Sequence, residues 1–115
     1  MSDNTLIARA AQSFPHQPYS AIDCSHFVYE VIKSVDPSFS YITSHDYLDS
    51  PRFRRVDHPE AGDIVHWPGH VAIIINPTTG AFIGSQSTNG VSEANYVSGH
   101  YWSKRPSRTY LRYQR

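Results

Sequence analysis

The segment AGDIVHWPGHVAIII, residues 61–75, carries the clearest structural signal in the sequence. It contains two short strand-like runs, residues 63–67 and 70–75, which are separated by Pro68-Gly69. A proline followed by a glycine interrupts a strand and favours a turn. The turn-forming residues 76–80 follow, and residues 81–86 then form another strand-like run. The pattern predicts three successive strands of an antiparallel sheet.

Outside this segment the sequence predicts helices first and further strands later. Two helices are expected at residues 4–13 and 24–35, and the first would place Leu6, Ile7, Ala10 and Ala11 on one face, with Ser2 or Asp3 as its cap. A short helix is expected at 43–48, and strands are expected at 53–56, 90–96 and 108–113. Helices followed by a strand meander indicate an α+β fold, with N-terminal helices packed on an antiparallel β-sheet. We predict a single domain that spans residues 1–115.

The composition excludes several classes of protein. Ten basic and ten acidic residues leave no net charge with histidine neutral, which argues against a nucleic-acid partner. The longest wholly apolar stretch, residues 71–75, is too short to cross a membrane. A single cysteine, Cys24, excludes an internal disulfide and a multi-cysteine metal site. His66 and His70 are four residues apart, but Pro68-Gly69 breaks the element between them, so we expect no metal and no other cofactor.

Cys24 is the first candidate for chemistry. Asp23 is a good N-cap, which would place Cys24 in the first turn of the second helix. The unpaired N–H groups and the helix dipole at that position stabilise a thiolate and lower the pKa of the thiol. The alternative is that Cys24 is simply a small buried apolar residue.

His70 is the best candidate for a base because it opens a strand directly after the Pro68-Gly69 turn. A helix N-terminus and a strand end that meet in space are a common way to build a Cys–His pair. The alternative is a histidine at the surface or at the edge of the core.

A third group normally orients the imidazole. If the loop consists of residues 76–80, Ile75 pairs with Ala81, and counting outward places Gln86 opposite His70 on the same face of the sheet. A four-residue loop would place Ser85 there instead. Gln86 would otherwise be an ordinary polar strand residue.

Two segments together resemble the NlpC-type papain-like cysteine peptidases. Residues 19–28, YSAIDCSHFV, resemble the nucleophile motif D-C-S-G-F-V. Residues 61–73, AGDIVHWPGHVAI, resemble the histidine motif G-D-[LIV]-V-x-[FW]…H-V-[GA]-[IV], which is also close to that of the related CHAP amidases. The resemblance covers about residues 4–113, with about 45 residues between cysteine and histidine.

The resemblance implies a minimal papain-like fold and hydrolysis of amide bonds in peptidoglycan stem peptides. Cys24 would be the nucleophile and His70 the general base. Tyr19, Ser25 and His26 would contact the substrate, although His26 stands where the motif has glycine.

A second departure concerns the third catalytic group. The family's third polar residue, often a histidine, aligns with Gly84, which has no side chain. The orienting role is therefore predicted for Gln86, with a backbone carbonyl as the alternative.

The N-terminal residues MSDNTLIARAAQSF contain no apolar run of signal-peptide length. Catalytic domains of this type resemble amidase effectors of type VI secretion and phage wall hydrolases. We expect a monomer, made in the cytoplasm, that reaches the cell wall by non-classical delivery or lysis and is restrained by a cognate immunity or inhibitor protein. The alternatives are a papain-like acyltransferase or deamidase with a non-wall substrate, and a catalytically inactive wall-binding module.

Overall fold

The computed structural model describes residues 2–115 and has the predicted α+β architecture. Two helices, α1 and α2, precede a short 3-10 turn and six strands, β1 to β6. The elements in chain order are α1 Asp3–Ser13, α2 Cys24–Val35, the turn Ser44–Asp46, β1 Phe53–Arg55, β2 Ile64–Trp67, β3 His70–Asn76, β4 Ala81–Gln86, β5 Gly90–Asn95 and β6 Thr109–Tyr113. The predicted short helix at 43–48 is therefore only the 3-10 turn. Met1, the first residue of the predicted domain, lies outside the described residues.

All strand pairs are antiparallel, and the sheet order is β1-β6-β2-β3-β4-β5. Strands β2 to β5 form the predicted meander. Trp67 pairs with His70, so Pro68-Gly69 forms a tight two-residue turn between β2 and β3. The last strand of the chain inserts between β1 and β2, a long-range pairing that the local sequence pattern did not predict.

The two faces of the sheet bury different cores. Both helices lie on one face, where side chains of α1 and α2 pack with Ile64, Val71 and Ile73. The opposite face carries a smaller aromatic cluster that includes Trp67, Phe82 and the partly buried Trp102. Because neighbouring residues in a strand point to opposite faces, His70 lies on the aromatic face and Val71 on the helical face.

The buried face of α1 differs in part from the predicted one. Ser2 is the N-cap and accepts a hydrogen bond from the Thr5 N–H, as predicted for one of the two candidate caps. Ile7 and Ala11 are buried as expected, but Ala8 is buried too, while Leu6 is 37% exposed. The helix contacts both α2 and β3, which turns its apolar stripe toward Ala8 and leaves Leu6 at the rim.

The register between β3 and β4 reaches the predicted alignment by a different route. Asn76, rather than Ile75, pairs with Ala81, so the loop is one residue shorter than assumed. A bulge between Ile74 and Asn76 takes up the extra residue, and Ile74 pairs with Phe82. Extending this register toward the start of β3 places Gln86 directly opposite His70.

Candidate active site

Cys24 is the first residue of α2, as predicted, and its helix is capped by the Asp23 side chain, which accepts from the His26 N–H. The residue is only 6% exposed. The backbone N–H of Val71 lies close enough to its sulfur to favour the thiolate and so lowers the pKa of the thiol. Because Val71 directly follows His70 in β3, this proximity places the thiol at the end of the strand that carries the candidate base.

The protonation state of Cys24 differs from the sequence-based prediction. Burial is the largest influence and raises the pKa of the thiol; the Val71 N–H opposes this effect, and the Asp23 carboxylate adds to it. The expectation that the helix N-terminus would give a lowered pKa is therefore wrong for the free protein. Burial and the adjacent carboxylate outweigh the backbone N–H groups.

His70 is buried among aromatic rings. Its ring stacks on Trp102, with centroids 4.7 Å apart and an interplanar angle of 28°, and Trp67 lies 5.9 Å away. Burial, the charge of Arg105 and the nearby His66 lower the pKa of His70 to about 4. The imidazole is therefore neutral at pH 7, and the resting pair consists of a thiol and a neutral base.

Gln86 and His70 approach each other above Gly84. A Cβ added at Gly84 would lie 2.8 Å from Gln86 Oε1 and 3.5 Å from His70 Nε2, so both atoms border the space above this glycine. Both atoms are buried and have no hydrogen-bond partner within the described residues. The Gln86 amide is fixed at its other end, where Nε2 donates to the backbone carbonyl and the hydroxyl of Ser92.

Ser85, the alternative to Gln86, has a structural role instead. Its hydroxyl is fully buried and donates to the Ile22 carbonyl, in the loop that leads to Cys24. Ser85 is adjacent to Gly84 and Gln86 in the strand and therefore points to the opposite face from both. The structure does not bring Ser85 to His70.

Ser25 and His26 belong to a polar cluster around the N-cap. The Ser25 hydroxyl donates to Asp23 Oδ1 and lies 2.8 Å from the hydroxyl of Tyr41. His26 Nδ1 donates to the same carboxylate oxygen at 2.8 Å, and its ring stacks on Tyr41 at 4.2 Å. Partial burial raises the pKa of Asp23, but the hydrogen bonds from His26 and Ser25 bring it below its ordinary value. His26, which replaces the motif glycine, is thus held at the surface by the capping carboxylate.

A cleft of about 330 Å³ opens next to His70. Among the predicted site residues, Tyr19, His70 and Gln86 line it, whereas Cys24, Ser25 and His26 are not among its lining residues. Burial and the charges of Cys24 and Asp23 raise the pKa of Tyr19, so its hydroxyl lies within electrostatic reach of the thiol. The remaining walls include Ser87, Thr88, Asn89, Glu93, Tyr101, Trp102 and Arg105.

Trp102 and Arg105 border the site but are not among the site residues predicted from the sequence. Both lie between β5 and β6, in a segment without regular secondary structure, and both border the cleft. The run Tyr101-Trp102-Ser103-Lys104-Arg105 combines aromatic rings with cations, which is the one local signal that points to it. This run of residues reaches His70 only when the sheet is folded.

His66 lies on the other side of the sheet from His70. It pairs with Val71 in the ladder, and its Nε2 donates to the Ser44 carbonyl. Within residues 2–115 no group of three or more histidine, cysteine, aspartate or glutamate side chains could hold a metal ion.

A thiol at a helix N-terminus near the first residue of a histidine-bearing strand is the arrangement typical of papain-like cysteine hydrolases. Comparison with known families gives the same class. The NlpC/P60 family matches residues 11–110, and the chain belongs to this family. The members are cysteine peptidases and amidases that act on peptidoglycan. No curated protein matches the chain.

None of the helices in the described part of the chain is long and apolar enough to span a membrane.

Proposed function

We propose that this protein hydrolyses amide bonds in the stem peptides of peptidoglycan, with Cys24 as nucleophile and His70 as general base. Membership of the NlpC/P60 family supports the reaction class and the substrate class. The observation that carries the residue assignment is the proximity of the Cys24 sulfur at the start of α2 to the Val71 N–H, next to His70 at the start of β3.

The proposed reaction begins from the neutral pair. His70 Nε2 faces the space that it shares with Gln86 Oε1, which leaves Nδ1 to take the proton from the Cys24 thiol. Proton transfer and attack on the substrate carbonyl occur together, because neither group is charged before the substrate binds. In this scheme Gln86 accepts a hydrogen bond from Nε2–H and stabilises the imidazolium that forms.

The sulfur–carbon bond produces a tetrahedral oxyanion, which the backbone N–H of Cys24 at the start of α2 would stabilise. The imidazolium then donates its proton to the leaving amine as the carbon–nitrogen bond breaks. A thioester remains on Cys24. Water, deprotonated by His70, attacks this thioester, and release of the carboxylate product returns the proton to the thiol.

Digestion of isolated sacculi tests the proposed substrate. Wild-type protein and Cys24→Ala are incubated with Gram-negative sacculi, and the soluble products are analysed by mass spectrometry. We expect new stem-peptide fragments with wild type only, and their masses identify the bond. If neither protein releases fragments while iodoacetamide still alkylates Cys24, the substrate is not the cell wall, and an acyltransferase or deamidase activity becomes the better hypothesis.

We further propose that the biological role is that of an antibacterial effector or a phage lysis enzyme. Such a role requires access to the wall, so toxicity would depend on the compartment. Wild-type protein directed to the periplasm by an added export signal is expected to lyse Gram-negative cells. The same protein without that signal, and exported Cys24→Ala, are expected to be harmless.

A further inference from the structure

Arg105 is held in the cleft by contacts that leave its charge uncompensated. One guanidinium nitrogen, Nη2, donates to the Pro68 carbonyl at 2.7 Å, and Nη1 donates to the Tyr101 hydroxyl at 3.4 Å. The guanidinium carbon lies 5.4 Å from the centroid of the Trp102 ring and 5.8 Å from that of Tyr101. These neutral partners fix the orientation of the cation, because stacking and two hydrogen bonds restrict its rotamers.

Arg108 also has only neutral anchors, the Tyr110 hydroxyl and the Tyr96 carbonyl, but it does not line this cleft. Three other anchored arginines each bind a carboxylate. Arg112 binds Asp63, Arg115 binds Asp3, and Arg52 binds Asp36. Within residues 2–115, by contrast, no carboxylate lies within 4.0 Å of the guanidinium of Arg105. A positioned cation without an internal anion, on the wall of a cleft, is arranged to bind an anion from outside.

We propose that Arg105 binds a carboxylate of the substrate residue next to the scissile amide bond and thereby selects substrates that carry one. The inference rests on the proposed hydrolase function for the position of that bond. It deepens that proposal, because the Cys–His pair itself does not distinguish an anionic peptide from a neutral one.

The position of the guanidinium relative to the base supports this subsite. Arg105 Nη2 lies 3.7 Å from where a Cβ at Gly69 would be, and Gly69 directly precedes His70. The guanidinium therefore borders the same end of β3 as the candidate base. Glu93 lines the same cleft, and its charge would disfavour a second anionic group nearby.

The same cation also affects the base. The charge of Arg105 is, after burial, the second cause of the lowered pKa of His70, and His66 is the third. A carboxylate bound to Arg105 would neutralise this charge and make His70 a stronger base when the correct substrate is present. Binding of the substrate carboxylate and activation of His70 as a base would then both depend on Arg105.

Two peptides that differ in one group test the inference. Both contain the bond that the wild-type protein cuts, and the residue beside it carries either a free carboxylate or its carboxamide. We expect wild type to prefer the carboxylate by about 10- to 100-fold in kcat/KM, as for one charge-assisted hydrogen-bonded pair. Arg105→Gln is expected to bring this ratio to within about threefold of one, with Arg105→Lys in between because it keeps the charge but not the fork.

Arg54→Gln is the matched control, because Arg54 is exposed on β1 and does not line the cleft. It should retain the wild-type ratio. An unchanged ratio in Arg105→Gln, or no preference in wild type, would overturn the assignment of Arg105.

Binding separates this inference from the proposed function. Cys24→Ala is titrated with the same two peptides, and the intrinsic tryptophan fluorescence, to which Trp102 in the cleft wall contributes, reports binding. Tighter binding of the carboxylate peptide, lost on adding Arg105→Gln, supports the subsite even if no peptide is hydrolysed. Equal binding of both peptides overturns the subsite, even where hydrolysis by wild type upholds the proposed function.

Discussion

Gly84→Ala adds one methyl group to the space that Gln86 Oε1 and His70 Nε2 border, and so tests whether Gln86 positions His70. The new Cβ would lie 2.8 Å from both Ala72 Cβ and Gln86 Oε1, about 0.6 Å closer than the 3.4 Å at which ordinary van der Waals contact begins. Gly84 lies inside β4 and is not among the glycines with positive φ, so the backbone accepts alanine. The effect of the substitution must therefore come from the displaced neighbours.

We expect Gly84→Ala to lower kcat/KM by about 10- to 100-fold, because a shift of about 1 Å in a group that orients a catalytic residue costs about 100-fold. The contact with Ala72 should also lower the free energy of unfolding by about 1–3 kcal/mol through overpacking. Steady-state hydrolysis of a stem peptide and urea denaturation measure the two effects.

The double variant Ala72→Gly/Gly84→Ala separates packing from positioning. Removing the Ala72 methyl group relieves one clash and leaves the clash with Gln86 Oε1. Stability should therefore recover in part, while the loss of activity persists. Wild-type kcat/KM in folded Gly84→Ala would refute the reasoning that Gln86 positions His70.

Three further predictions concern stability. The pKa of His70 is about 4 in the folded protein and about 6.5 in an unfolded chain, so between these values the unfolded state binds a proton that the folded state does not. The free energy of unfolding should therefore fall by up to about 3 kcal/mol as the pH drops from about 6.5 to about 4. Urea denaturation at pH 7 and 4.5 should show a smaller pH effect in His70→Gln. Asp63→Asn should cost about 3 kcal/mol or more in the same assay, because buried Asp63 binds Arg112 through two hydrogen bonds and also accepts from Asn4. Ser85→Ala should cost about 1–3 kcal/mol because it leaves the Ile22 carbonyl without its partner, and an unchanged midpoint would contradict that role.

Much of the fold is readable from local sequence because local chemistry sets the boundaries of its elements. Asp23 caps α2, Pro68-Gly69 forms the turn between β2 and β3, and residues 76–80 form the next turn. These signals act over a few residues. The order of Cys24 and His70 along the chain, and the elements that carry them, could be predicted in the same way.

What the sequence did not predict depends on long-range contacts. The insertion of β6 between β1 and β2 depends on which distant edge the last strand finds, and no periodicity encodes that choice. The bulge before Asn76 changed the loop length and left the level of Gln86 unchanged. Trp102 and Arg105 reach the site only because an irregular segment folds back over the aromatic face.

The raised pKa of Cys24 was missed for a related reason. A helix N-terminus is visible in the sequence, but the burial that opposes its effect exists only once α2 packs on the sheet. In the free protein Cys24 is consequently a thiol and His70 a neutral imidazole near pH 7.

The identity of the nucleophile is the central claim, and a single comparison tests it most directly. Wild-type protein and Cys24→Ala are given the same defined stem peptide, and product formation is followed by mass spectrometry after both proteins are shown to be folded. We predict that the variant retains less than about 10⁻⁴ of the wild-type rate, as expected when a catalytic nucleophile is removed. Hydrolysis of the same bond by Cys24→Ala at a rate near that of wild type would contradict the account.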